Sequence, residues 1–334
     1  MAEALIKHRE GIVGEWRGPF PFTQLVHEDP DNLARWEPWV RHAVWSYELE
    51  SQVFLSRHQE GRKDAVTLWN MNTQHVGAAP RPTSAARRIV TLIRPTRGTF
   101  RRQARLVQAW ADLRADRSTE ILSQLTPPAA FWTSIVGLHP DRTRWTLELI
   151  DLALGFAAAV EQRFKHALPC MRPHDLSPQI QPMILCPGHS SFPSGHSTEA
   201  FMVAFVLWRL LRAATPAKDP LWAEQLMRQA ARIAINRTIA GVHFPVDSAA
   251  GELLGLTLGE YFVRRCRGAG AYTAWRFDGT RYQGNDDFRW RLLFNGDTGQ
   301  RINTSGFCDL MGPEAALGSP MLRWLWNRAV AELQ

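Results

Sequence analysis

From about residue 102 to residue 267 the sequence keeps a single period, and it is that of a helix. The stretch "DRTRWTLELIDLALGFAAAVEQRFKHAL" reads as a long, largely buried helix stopped by Pro169. "TEAFMVAFVLWRLLRAA" follows it. "DPLWAEQLMRQAARIAINR" opens on Asp-Pro, and "DSAAGELLGLTLGEYFVRRC" opens on an Asp that can cap it and closes in a basic turn. Upstream, "RRQARLVQAWADLRADRSTEILSQL" puts Leu106, Trp110 and Leu113 on one face. Helices with apolar faces must bury them against one another. The expected fold is therefore all-α, a helical bundle core of five or more helices over residues 101–267.

The ends are read as elaborations of that bundle. Residues 1–100 form an expected N-terminal extension packed on the core. It is punctuated by "GPFPF" and "AAPRPTS" and carries two strand-like stretches, "VWSYELESQVFL" and "DAVTLWNM". Residues 268–334 form an expected C-terminal extension with a hairpin signal, "WRFDGTRYQ", and a terminal helix through "MLRWLWNRAVAEL". Strands are expected only as minor hairpins in these two extensions. The fourteen Trp belong mainly in the core or in pocket walls.

Composition removes several classes. The longest apolar runs, Leu152–Val160 and Ala200–Trp208, are too short to span a bilayer. "MAEALIKHREGIVGEW" places Lys7, His8, Arg9 and Glu10 where a secretory signal needs an unbroken apolar stretch, so a cytoplasmic location is expected. Cys170, Cys186, Cys266 and Cys308 lack metal-ligand spacing and are expected as free thiols. A net charge of +7 suits an anionic ligand. The denser patches at Arg87–Arg105 and Arg264–Arg267 read as solvated basic surface, and no nucleic acid is expected as a partner. The sequence allows a homo-oligomer.

Three segments concentrate the residues that carry chemistry. "KHALPCMRP" sets Lys165 and Arg172 seven apart, the lysine at a helix end and the arginine in the loop after it. "HSSFPSGHSTEA" places a turn, Pro193 to Gly195, at the start of a helix, where the Ser194 and Gly195 backbone N–H groups can face an anion beside His196. "NRTIAGVHFPVD" brings Arg237 and His243 to the break between two helices, with Asp247 four residues on. A tetrahedral oxyanion needs such a set. The two guanidiniums offer forked donors, the lysine a compact charge, and Ser194 and Gly195 further donors at close range. One imidazole can bond the central atom while a second moves protons. Asp247 can orient the other nitrogen of His243, or simply cap the helix.

In this order and spacing, K-x6-RP, PSGH and R-x5-H-x3-D resemble the signature of the superfamily joining PAP2-type phosphatases with vanadium-dependent haloperoxidases, over Lys165–Asp247. The resemblance implies that Lys165, Arg172, Ser194, Gly195 and Arg237 hold vanadate or phosphate. It makes His243 the vanadium ligand or the phosphoryl-accepting nucleophile, and His196 the acid/base partner. Asn236 departs from the Ser usual before the arginine. His189 occupies a position where the resemblance places a His in bromide-oxidising members. Cys186, His174 and Asp175 are candidates for the entrance.

The first expectation is thus a vanadium-dependent haloperoxidase. Its cofactor would be vanadate and its substrates hydrogen peroxide and halide, bromide above the rest. The alternative is a PAP2-type acid phosphatase, without cofactor, acting on a phosphomonoester through a phosphohistidine. A non-catalytic anion-binding helical module needs only the charge and leaves the paired histidines unexplained.

Overall fold

The computed structural model describes residues 3, 7, 14, 15, 17–19, 26–76, 81–83, 85–126, 129–215, 219–268 and 270–334. "MAEALIKHREGIVGEW", "GPFPF" and "AAPRPTS" lie largely outside the described residues. The chain divides into two compact units, Met1–Trp36 and Glu37–Gln334. In the first, a 3-10 turn over Pro30–Arg35 begins at Asp29, whose carboxylate accepts from the Asp31 N–H at 3.0 Å.

In the second unit ten helices are described: α1 (Pro38–Glu50), α2 (Arg97–Trp110), α3 (Arg114–Ser123), α4 (Ala129–Val136), α5 (Arg144–Ala167), the single turn α6 (Pro173–Leu176), α7 (Gly195–Ala214), α8 (Asp219–Ile239), α9 (Pro245–Arg267) and α10 (Pro320–Glu332). α5 is about 36 Å long. It buries Leu149, Leu152, Ala153, Phe156, Val160 and Phe164, one stripe at helical spacing. α9 is buried nearly all round, between α7 and the sheet described below. Its glycines set the approach. A Cβ at Gly251 would lie 2.7 Å from the Ser194 carbonyl oxygen, and one at Gly255 would lie 2.3 Å from that of Thr198. Only hydrogens fit in this seam, which holds the α7 N-terminus against the first turns of α9. Among the described residues no helix is long and apolar enough to cross a membrane, and the four cysteines are free.

The all-α expectation is wrong: the fold is mixed α/β. Five strands, β1 (Val53–Glu60), β2 (Lys63–Asn70), β5 (Arg87–Ile93), β6 (Gly270–Asp278) and β9 (Cys308–Ala316), form one sheet in the order β1-β2-β5-β6-β9. The short pairs β3 (Gln74–Val76) with β4 (Arg81–Thr83), and β7 (Phe294–Asn295) with β8 (Gln300–Arg301), lie apart from it. All neighbours in the large sheet run antiparallel except β5 and β6, which are parallel in the register Val90↔Trp275 to Ile93↔Asp278. That pair joins strands far apart in sequence, and a parallel pair has no tight turn to announce it. The expected hairpin at "WRFDGTRYQ" is absent as well. β6 ends at Asp278, whose carboxylate takes the Thr280 N–H at 3.0 Å and hydroxyl at 2.6 Å, and the Gly279 N–H donates to the Ile93 carbonyl. Of the stretch "VWSYELESQVFL", the first seven residues lie in α1 and the strand starts only at Val53.

Candidate active site

The break between α8 and α9 is shaped by Gly241, at φ +80°. That left-handed turn lets both the Val242 and His243 N–H groups return to the Arg237 carbonyl, at 3.1 and 3.3 Å. His243 is thereby fixed beside the arginine six residues before it. Arg114 locks the turn from outside, donating to the carbonyls of Ile239, Gln181 and Ile180 at 2.7–3.0 Å. At the start of α7, Ser194 caps the helix by accepting from the Ser197 N–H at 3.4 Å, and its own N–H donates to the Asp247 carbonyl at 2.9 Å.

Around His243 the residues of the three motifs converge. His243 is 4% exposed, and its Nδ1 donates to Asp247 Oδ2 at 3.3 Å. Its Nε2 has no partner among the described residues. The same carboxylate oxygen accepts from the Phe244 N–H at 2.9 Å, so Asp247 orients the ring and caps α9 together. Arg172 is buried. It donates from Nη1 to the Val242 carbonyl, from Nε to the His189 carbonyl and from Nη2 to His189 Nδ1, at 2.9, 2.9 and 3.2 Å. Two of its five N–H bonds remain. Arg237, 1% exposed, donates from Nη2 to Gln124 Oε1 at 2.8 Å and leaves Nε and Nη1 without a partner among the described residues. A buried guanidinium with two idle nitrogens is costly unless an anion takes them. His196 Nε2 donates to the Gln124 carbonyl at 3.0 Å, which leaves Nδ1 for chemistry.

Two expected contacts differ. Lys165 was expected to grip the anion, but its ammonium reaches the carbonyls of Pro193, Ser190 and Ser191 at 2.5, 3.2 and 3.4 Å. It braces the loop that delivers Ser194 and contributes its charge from behind. The Ser194 N–H is taken by Asp247, so the donors left at this corner are the Ser194 hydroxyl and the Gly195 N–H, an open first-turn amide of α7. His189 lies against Arg172. Asp175 accepts from the Arg172 N–H at 2.8 Å, and Cys186 Sγ lies 3.1 Å from His174 Nδ1. Asn236 donates to Glu120 Oε1 at 2.9 Å and to Gln124 Oε1 at 3.1 Å.

The field inside is strongly positive. Burial, then Lys165, Arg172, His196 and Arg237, hold the His243 pKa well below its ordinary 6.5, so the ring is neutral with a free lone pair. Burial and Arg237 bring His196 down to about 4. An anion among these cations reverses the second effect and favours protonated His196. Burial raises Asp247 to about 7 against the Phe244 N–H that stabilises its anion.

Sequence reading missed Gln124, Glu161 and Glu199. Gln124 follows α3 and binds both Arg237 and His196, and nothing in "EILSQL" marks it for that place. Glu161 had a signal: it lies one turn before Lys165, on the stripe with Ala157 and Phe164. Its carboxylate is 3.5 Å from Lys165 and lies directly behind Gly195, where a Cβ would meet it at 2.8 Å. Glu199 is half-buried, and its charge raises the pKa of Glu161.

Burial raises the Glu161 pKa from 4.5 to about 7, against the attraction of Lys165. The fold therefore keeps a proton that the unfolded chain has released. This group's contribution to stability is full below the unfolded pKa and is lost as pH rises through the folded one. Glu161→Gln should remove that loss. The unfolding free energy of the variant relative to wild type is expected to gain on the order of 2 kcal/mol from pH 5 to pH 8. Denaturant titrations at the two pH values read the slope, while any packing change appears as a constant offset. A difference that stays constant with pH refutes the assignment.

Residues 149–268 match the PAP2 superfamily. The resemblance carried by the three motifs is thereby shown for that segment. Among solved structures, the chain is similar to a protein described as the first transmembrane PAP2 type phosphatidylglycerolphosphate phosphatase from Bacillus subtilis. The identity is 23%, over 49% of this chain and 84% of that one, with a TM-score of 0.40. No curated protein matches.

Proposed function

We infer that the chain is a PAP2-type phosphohydrolase that cleaves phosphomonoesters through a phosphohistidine on His243. The observation that carries this reading is the neutral His243 ring. Its Nδ1 is held by Asp247, and its Nε2 is free in the field of Arg172, Arg237 and Lys165. Nε2 attacks phosphorus and the P–O bond to the leaving oxygen breaks, with His196 Nδ1–H supplying the proton. Arg172, Arg237, the Ser194 hydroxyl and the Gly195 N–H stabilise the non-bridging oxygens as charge shifts onto them. Water then attacks phosphorus and gives a proton to His196. The P–N bond breaks, releasing inorganic phosphate and restoring both rings. Hydrolysis of p-nitrophenyl phosphate, with an acid-labile, base-stable phosphoenzyme trapped by rapid quench, is the expected result. No phosphate release from any monoester tested would reject it.

Halide oxidation, the first expectation from the sequence, finds no support in the family match and stands as a second reading on one observation. His189 keeps an imidazole 3.2 Å from Arg172 Nη2, beside the anion donors. Vanadate has the shape of phosphate, and the same idle nitrogens of Arg237 would hold it, with His243 Nε2 positioned to be its ligand. When bound, it supplies Lewis-acid activation of hydrogen peroxide. Bromination of a phenol-type dye by vanadate-loaded protein with peroxide and bromide would support this reading. Its absence in protein that binds vanadate removes it.

A further inference from the structure

The basic stretch Arg87–Arg105 was expected to be solvated surface, and parts of it are ordinary. Arg88 stacks on Trp69 at 5.6 Å, and Arg87 faces Glu314 at 4.0 Å. Its middle behaves otherwise. Arg94, Arg97 and Arg101 line a cavity of about 520 Å³, the size of small-molecule sites, and among its lining residues none is acidic. Arg94 is tied to Asp64 at 3.0 Å and to the Pro169 carbonyl at 3.4 Å. Arg97 and Arg101 have no partner among the described residues. Phe100 and Met171 give the same cavity apolar walls.

The cavity adjoins the catalytic site through two of its walls. Phe100 packs its ring on that of Phe244 at 4.9 Å, and Phe244 follows His243 directly. Cys170 and Met171 form another side and lead straight into Arg172. They are pinned to the catalytic loop by Ser190 Oγ, which accepts from the Cys170 N–H at 2.8 Å, and by the Ser191 hydroxyl, which donates to the Met171 carbonyl at 2.9 Å. Beyond these shared walls from Arg172 and His243 lies a space with apolar sides and guanidiniums that have no partner among the described residues.

We propose that this cavity binds a second anionic group of the substrate, and that the preferred substrates are compact organic bisphosphates with a short apolar spacer. The proposal rests on the phosphohydrolase reading for the role of the first phosphate. Forked donors from Arg97 and Arg101 recognise the second phosphate, and Phe100 and Met171 cover the carbon chain between the two. The class of reaction that supplies such a substrate is one that phosphorylates a diol at both ends.

The test uses α,ω-alkanediol bisphosphates of two to eight carbons, each compared with the monoalkyl phosphate of the same length. Calorimetric binding to full-length His243→Ala protein avoids turnover. At least one chain length is expected to bind tenfold or more tightly than its monoester, and the advantage should fall below threefold when Arg97→Glu and Arg101→Glu are added. Both arginines are exposed, and a thermal melt monitors the fold. If the charge reversals unfold the protein, Arg97→Gln with Arg101→Gln provides the same comparison. A flat ratio along the series, or an advantage that survives loss of both arginines, overturns the subsite. The two failures separate. Monoester hydrolysis without a bisphosphate advantage leaves the phosphohydrolase standing and removes the subsite. Arginine-dependent bisphosphate binding without hydrolysis does the reverse.

Discussion

Replacing His243 by alanine is expected to lower kcat for p-nitrophenyl phosphate by about 10,000-fold or more, while affinity for a tetrahedral oxyanion such as tungstate changes less than about tenfold. The asymmetry follows from the geometry. On the phosphohydrolase reading, the neutral His243 contributes a lone pair, whereas the charge that would hold the anion comes from Arg172, Arg237 and Lys165. Removing the ring removes the attacking nitrogen and enlarges the site without discharging it. Added imidazole should restore part of the turnover in the cavity left behind. Asp247→Asn is a milder lesion. It keeps the size of the side chain but loses the carboxylate that fixes the Nδ1–H tautomer, and a loss of about 10- to 100-fold is expected. His196→Ala separates the two imidazoles. p-Nitrophenolate leaves without a proton and an alkoxide does not, so this variant should lose far more on an alkyl phosphate than on the nitrophenyl ester. It should also accumulate phosphoenzyme, since water then lacks its base. Equal losses on the two esters would remove His196 as the proton donor, and unchanged turnover in His243→Ala would remove the nucleophile.

What the sequence made legible here was local. Each helix of the core follows from apolar residues at helical spacing, and the convergence on His243 follows from three short motifs whose turns are written in Pro, Gly and Ser. The sheet was hidden because its decisive pair, β5 with β6, joins residues 87–93 to residues 270–278. No local pattern reports a parallel pairing across the whole bundle. The expected hairpin at "WRFDGTRYQ" failed for a related reason: the buried Asp278 carboxylate turns the chain on Thr280, and the antiparallel partner of β6 comes from residues 308–316. In the site, residue types were readable and the direction of their bonds was not. A lysine in K-x6-R can clasp an anion or brace a loop, and only the positions of the Pro193, Ser190 and Ser191 carbonyls decide for bracing. Gln124 was invisible because its role depends on where α3 ends relative to α8.

The glycine seam makes the second large effect, and here two terms of opposite sign compete. Within a helix Gly→Ala is ordinarily favourable by about 1 kcal/mol, through lost freedom of the unfolded chain. At Gly255 the new methyl would lie 2.3 Å from the Thr198 carbonyl oxygen and 3.0 Å from the Met202 amide nitrogen. Both are backbone atoms of α7, so no rotamer change makes room and α9 must retreat by about 1 Å. Overpacking of this kind costs about 1–3 kcal/mol and more where backbone must move. The steric term wins, and Gly255→Ala is expected to destabilise the fold by about 2 kcal/mol. Gly155, in α5, is the control: its Cβ would meet His42 Nε2 at 3.5 Å, an ordinary contact, and Gly155→Ala should be neutral or stabilising by up to about 1 kcal/mol. The seam also carries the site. The Ser194 N–H on the Asp247 carbonyl and the Ser197 hydroxyl on the Ser248 carbonyl tie the start of α7 to the helix that begins two residues after His243. Moving α9 outward separates the Gly195 donor from the attacking nitrogen, so Gly255→Ala should lower kcat although no reacting residue is touched. Denaturant titration and steady-state kinetics on the two variants decide. Equal stability of Gly255→Ala and wild type would mean that α9 has room to move, and that the glycines do not set the geometry of the site.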